Sequence, residues 1–86
     1  MRASHILVAS LEQANSILAE ANALNFGTLA QQHSSCPSRA RGGDLGDFGP
    51  GQMVKPFEDA TQSTPVGSIS QPVQTQFGWH LIHRTA

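Results

Sequence analysis

The sequence predicts an α+β fold, a small antiparallel or mixed sheet with helices packed on it. Three observations carry that prediction. The run "SHILVAS" at residues 4–10 is apolar and rich in β-branched side chains, as a buried strand requires. Two stretches with helical periodicity follow it. The C-terminal quarter then returns to strand-like runs, "SISQPV" and "GWHLIHRT", joined by "QTQF".

Taken in order, Ser10 followed three residues later by Gln13 makes a capping-box start for the first helix. Leu11, Ala14, Ile17, Leu18, Ala21 and Leu24 share one face of it, which predicts an amphipathic helix of about four turns. Asn25-Phe26-Gly27 breaks the pattern. Phe26, Leu29, Ala30 and His33 then give a short second helix ending near Ser34. Residues 36–51 hold Pro37, Pro50 and glycines 42, 43, 46, 49 and 51, so this segment reads as loop. Within it, "GDLGDFG" supplies a short strand around residues 45–48. "KPFEDATQ" forms one or two helical turns, with Pro56 tolerated early, and Pro65-Val66-Gly67 marks a turn.

Eighty-six residues make one domain, 1–86, with a hydrophobic fraction of 38% sufficient for one modest core. Five basic against six acidic residues give a net charge of −1. That balance argues against nucleic acid, which needs a basic face to displace phosphate counterions. A single cysteine forms no intrachain disulfide, and the N-terminal apolar run is too short for a signal peptide or a membrane span. The expectation is a cytoplasmic chain with no membrane contact, or a domain of a larger exported protein.

Three chemistries suggest themselves around residues 34–46, and each meets an objection. "RGGDLG" lacks the G-x-x-x-x-G-K-[ST] spacing and opens no long helix, so the glycines serve turns rather than a phosphate. A metal site would draw on Cys36 and four histidines. His80 and His83 are three apart on a strand, however, and so face opposite ways. His5, Cys36 and His80 have no C-x-x-C or carboxylate partner beside them, and no metal or other cofactor is expected. Cys36 with a histidine would suit a hydrolase nucleophile, yet no Asn or Asp is placed to orient the base. A plain buried thiol is the commoner state of such a cysteine. His33 reads as a solvated helix residue.

The segment "FGTLAQQHSSCPSRARGGDLG" at residues 26–46 closely resembles the signature of the parvulin family, the PpiC-type peptidyl-prolyl cis/trans isomerases. "SHILV", "GQMVKPFEDA" and "GSISQPVQTQFGWHLI" continue the match in the family's order over nearly the whole chain. The resemblance implies a parvulin-like (FKBP-like) fold, a four-stranded, mostly antiparallel sheet flanked by about four helices in the order β-α-α-α-β-α-β-β. It implies a histidine pair, His5 and His80, hydrogen-bonded together beneath a substrate groove, with Thr75 as a polar neighbour. It implies that Cys36 occupies a position filled by Cys or Asp, where it acts without covalent attachment. Leu45, Met53 and Phe57 match the pocket for the proline ring, with Phe77 beside it. The expected partners are proline-containing peptides and unfolded protein segments, met by a monomer. The competing expectation is a weakly active module that only binds such segments. Phosphate-directed members carry a basic cluster after the first strand. Here "VASLEQAN", residues 8–15, contains no Lys or Arg, which predicts a phosphorylation-independent enzyme. Arg39 and Arg41 are expected beside the groove.

Overall fold

Alternation along two central strands decides which side each helix takes. The computed structural model describes residues 1–86, with strand β1 at Arg2–Val8, helices α1 at Leu11–Glu20 and α2 at Phe26–His33, and a 3₁₀ helix at Pro37–Arg41. Strand β2 (Asp44–Asp47), helix α3 (Lys55–Ser63) and strands β3 (Val73–Thr75) and β4 (Gly78–Arg84) complete the chain. The sheet order is β2-β1-β4-β3, with every neighbouring pair antiparallel.

Side chains two apart on a strand share a face. Ile6 and Val8 of β1 and Leu81 of β4 pack with Ala14, Ile17, Phe26, Leu29 and Ala30 of α1 and α2. Ala3 of β1 and Ile82 of β4 point the other way, onto Phe48 and onto Phe57 of α3. His5 and Leu7 share the parity of Ala3, and His80 that of Ile82, so the α3 side of the sheet carries the histidines. Full burial of an Ile, Leu or Phe contributes about 1.5–3 kcal/mol, so these two small cores hold the sheet between its helical layers.

The element order agrees with the expectation, three α-helices and the 3₁₀ helix taking the four helical places. Boundaries differ in informative ways. Helix α1 stops at Glu20, a turn short of the expected length, and Leu24 is 97% exposed rather than on its buried face. Asn22 and Asn25 cause this. Asn22 Oδ1 accepts from the N–H groups of Leu24 and Asn25, while Asn25 Oδ1 accepts from Asn22 N–H. Asn25 Nδ2 also donates to the Glu20 carbonyl at 2.7 Å. Local side-chain bonds of this kind outcompete a further helical turn.

Strands β1 and β2 lie two residues and one residue earlier than the sequence indicates. "SISQPV" is not a continuous strand, since regular pairing starts only at Val73 and an isolated bridge joins Ile69 to His83. Ser70 interrupts the ladder because its side-chain Oγ, not a carbonyl, accepts from Ile82 N–H at 3.1 Å. Pro72 has no N–H to give. Gln74 and Thr75, expected in the connection, belong to β3. No helix of the chain is long and apolar enough to cross a membrane.

Candidate active site

The register of β1 and β4 brings the two buried histidines together. Leu7 pairs with His80 and His5 with Ile82, so the two rings sit diagonally on one face of the sheet. Their Nδ1 atoms lie 2.9 Å apart, and the planes are inclined by only 19°. Thr75 Oγ1 lies 2.7 Å from His80 Nε2 and accepts the Phe77 backbone N–H at 3.1 Å. The result is a chain of polar groups from the β3–β4 turn into the middle of the sheet.

Burial, with the neighbouring His80 ring as a smaller cause, lowers the His5 pKa to about 4. Burial alone lowers His80 to about 4. Both rings are therefore neutral at pH 7, and each has one donor and one acceptor nitrogen. A proton on His80 Nδ1 makes it donate to His5 and accept from the Thr75 hydroxyl. A proton on His80 Nε2 reverses both bonds. His5 Nε2 is buried without a protein partner, as is Ser38 Oγ.

Phe57 sets this pair against an apolar space. Its ring is 97% buried and meets both imidazoles edge-on, at 5.5 Å from His5 and 5.2 Å from His80. Phe48 backs it at 6.1 Å. Pro56 in the first turn of α3 suits the helix start, because its missing N–H would have no intrahelical partner there. Gly43 completes the support beneath. At φ 83° its Cα lies hard against the His5 backbone, where any side chain would collide, and its carbonyl accepts His5 N–H at 2.9 Å.

A cavity of about 480 Å³ opens above the histidines. Of the residues expected at the site, His5, Cys36, Leu45, Met53, Phe57, Phe77 and His80 line it, and Thr75 stands one hydrogen bond behind His80. Leu7, Ser35, Pro37, Gln52 and Val54 also line it, unforeseen from the sequence. Leu7 was within reach of simple alternation, being two residues from His5. Phe77 forms the rim, 62% exposed. Cys36 is half-buried rather than enclosed, capping the 3₁₀ helix with its N–H toward Ser34 Oγ at 3.3 Å.

No Asp, Glu, Lys or Arg lines the cavity. Arg39 and Arg41 are exposed on the 3₁₀ helix, whose first residue Pro37 lines the cavity, and are not themselves among the lining residues. His83 packs against Phe26 at 5.4 Å, on the face opposite His80, and His33 is exposed at the end of α2. The arrangement is suited to holding an apolar ring beside polar but uncharged groups.

Known proteins are similar to this chain in sequence and shape. Residues 5–86 match the family described as "Rotamase: PPIC-type PPIASE domain". The foldase protein PrsA of Geobacillus sp. (strain WCH70) is 48% identical over 87 residues, spanning 99% of this chain and 32% of PrsA. The peptidyl-prolyl cis-trans isomerase Pin1 of Arabidopsis thaliana is 50% identical over 80 residues, covering 91% of this chain and 67% of Pin1. The solution structure of NmPin, the parvulin of Nitrosopumilus maritimus, superposes with a TM-score of 0.85 at 40% identity, over 100% of this chain and 95% of NmPin. The chain spans about a third of the length of the PrsA foldases it matches.

Proposed function

The chain belongs to the parvulin family of PpiC-type peptidyl-prolyl cis/trans isomerases, and from that premise we propose that residues 1–86 act as one domain accelerating rotation about X-Pro bonds in flexible or unfolded polypeptides. The observation that carries the proposal is the apolar slot of Leu45, Met53 and Phe57, set directly on a neutral, hydrogen-bonded histidine pair.

Rotation about a peptide bond crosses a barrier of about 18–20 kcal/mol because it breaks amide resonance. For X-Pro the uncatalysed step takes roughly tens to hundreds of seconds. A thousandfold acceleration needs only about 4 kcal/mol of preferential binding to the twisted state. The planar amide is polar and resonance-stabilised, whereas the twisted one is less polar, so an apolar slot favours the twist. Phe57, Met53 and Leu45 hold the pyrrolidine ring while the carbonyl side turns. Phe77 adds apolar surface at the rim.

His5, His80, Thr75 and Cys36 adjust hydrogen bonding around the rotating carbonyl. General acid-base catalysis works best with a pKa near the operating pH, and both histidines lie well below it. Bond rotation needs no proton transfer, so neutral rings suit it. Cys36 takes part without a covalent adduct.

Unphosphorylated, apolar-flanked proline is the preferred substrate in this proposal. A phosphate dianion would enter a cavity with no cationic lining residue. The domain is proposed to work as a monomer in the cytoplasm, which size-exclusion chromatography and cell fractionation test. Exchange NMR on paired Ala-Leu-Pro-Phe and phosphoserine-Pro peptides tests the reaction itself. Faster exchange of the first and little change in the second is expected. Shift changes without faster exchange would leave a binding module instead.

A further inference from the structure

We propose that Glu58 is a positioning residue, its buried carboxylate tying the loop wall of the cavity to helix α3 and so fixing the width of the proline slot. This rests on the isomerase function proposed above. The wall is the segment between Phe48 and α3, which contributes Gln52, Met53 and Val54 to the cavity, while the floor is Phe57 on α3 itself. Glu58 is the residue next to that floor and is 8% exposed, unusual for a carboxylate.

The side chain of Glu58 holds the segment at Gly51, and the ordinary first backbone bond of α3 holds it at Val54. Glu58 Oε1 accepts the Gly51 N–H at 2.7 Å, and the Glu58 N–H donates to the Val54 carbonyl at 3.0 Å. Gly51 sits at φ 84°, a left-handed conformation that glycine adopts without steric cost and any other residue would strain. The remaining restraints close within the segment itself. A 3.3 Å bond links Gln52 N–H to the Gly49 carbonyl, and the Gly49 N–H donates to the side chain of exposed Gln52 at 2.7 Å. Neither ion pair of the chain includes Glu58, since Lys55 binds Asp59 and Arg2 binds Asp44. The carboxylate instead faces a backbone N–H near the start of α3, whose N-cap Val54 has no capping side chain. A buried carboxylate bonded to the turn leading into Met53 serves the slot's geometry.

The test is a titration of ¹⁵N-labelled wild-type, Glu58→Ala and Glu58→Gln chains with Ala-Leu-Pro-Phe. It is read with cis/trans exchange at saturating peptide, hydrogen exchange of the Gly51 amide, and thermal melts. Loss of a hydrogen bond to a charged group predicts about tenfold weaker peptide binding in Glu58→Ala. Gly51 should lose protection, with a smaller change in the rate at saturation. Glu58→Gln keeps an acceptor and should return the affinity to within about twofold of wild type. Affinity within twofold of wild type in a folded Glu58→Ala chain would overturn the proposal, as would Glu58→Gln binding as weakly as Glu58→Ala. If Glu58→Ala does not fold, Gly51→Ala strains the same turn, and unchanged affinity there is the overturning result. Wild type that binds peptide without speeding its exchange sinks the isomerase function instead, and the affinities still decide Glu58.

Discussion

Acidification should destabilise this domain through its histidine pair, well above the pH at which carboxylates matter. His5 and His80 are each lowered to about 4 in the folded chain, mainly by burial, against 6.5 unfolded. A depressed histidine pKa means that the unfolded chain binds the extra protons. The neutral pair therefore keeps its full stability above about pH 6.5 and loses it steadily down to about pH 4. Each unit of depression is worth about 1.4 kcal/mol, so moving from pH 7 to pH 5 costs about 2 kcal/mol per ring and about 4 kcal/mol for the pair. Against a typical domain stability of about 5–15 kcal/mol, that loss lowers Tm by roughly 15–30 °C. Asp44 behaves oppositely. Its hydrogen bond from Arg2 lowers its pKa from 3.8, so its contribution is lost only below about pH 4 and does not blur the window. Urea unfolding at pH 7.5, 6.5, 5.5 and 5.0 and constant ionic strength measures the slope. Ring NMR shifts of both histidines measure the titrations directly. Equal midpoints at pH 7.5 and 5.0, or rings that protonate near 6.5, would refute the reasoning.

Other substitutions separate the roles proposed for the site. Phe57→Ala removes the slot floor and should abolish most isomerase activity while costing about 3–5 kcal/mol of stability. Unchanged exchange rates in a chain that still melts cooperatively would refute that placement. Cys36→Ser should keep substantial activity, and complete loss together with a trapped substrate adduct by mass spectrometry would contradict the noncovalent role. Thr75→Val removes the partner of both His80 Nε2 and the Phe77 N–H. It should cost about 1–3 kcal/mol and loosen the Phe77 rim, seen as faster amide exchange at Phe77. An unaltered melt would mean that the polar chain contributes nothing.

Much of this was legible in the sequence because strand parity and helical spacing are local. Alternation places Ala3, His5 and Leu7 on one face of β1, and the family motifs name His80, Met53 and Phe57 around it. What escaped depends on side chains replacing backbone bonds. Asn22 and Asn25 truncate α1 and leave Leu24 in solvent, although Leu24 fits the helical period. Ser70 inserts its hydroxyl into the β4 ladder, so "SISQPV" is no regular strand despite its apolar residues. The 3₁₀ helix that carries Arg39 and Arg41 is an element invisible in a glycine-rich stretch read as loop. Glu58 carried no signal at all. A carboxylate after a phenylalanine in a helix ordinarily faces water, and only the left-handed turn at Gly51 gives it a reason to be buried.

The most direct measurement is two-dimensional exchange NMR of Ala-Leu-Pro-Phe with catalytic amounts of the wild-type chain at pH 7. Isomerase action predicts cis/trans exchange that speeds in proportion to protein concentration, at an unchanged cis:trans ratio, and that returns to the uncatalysed rate with Phe57→Ala. Exchange no faster than in the peptide alone, while the amides of Phe57 and His80 shift on binding, would contradict it.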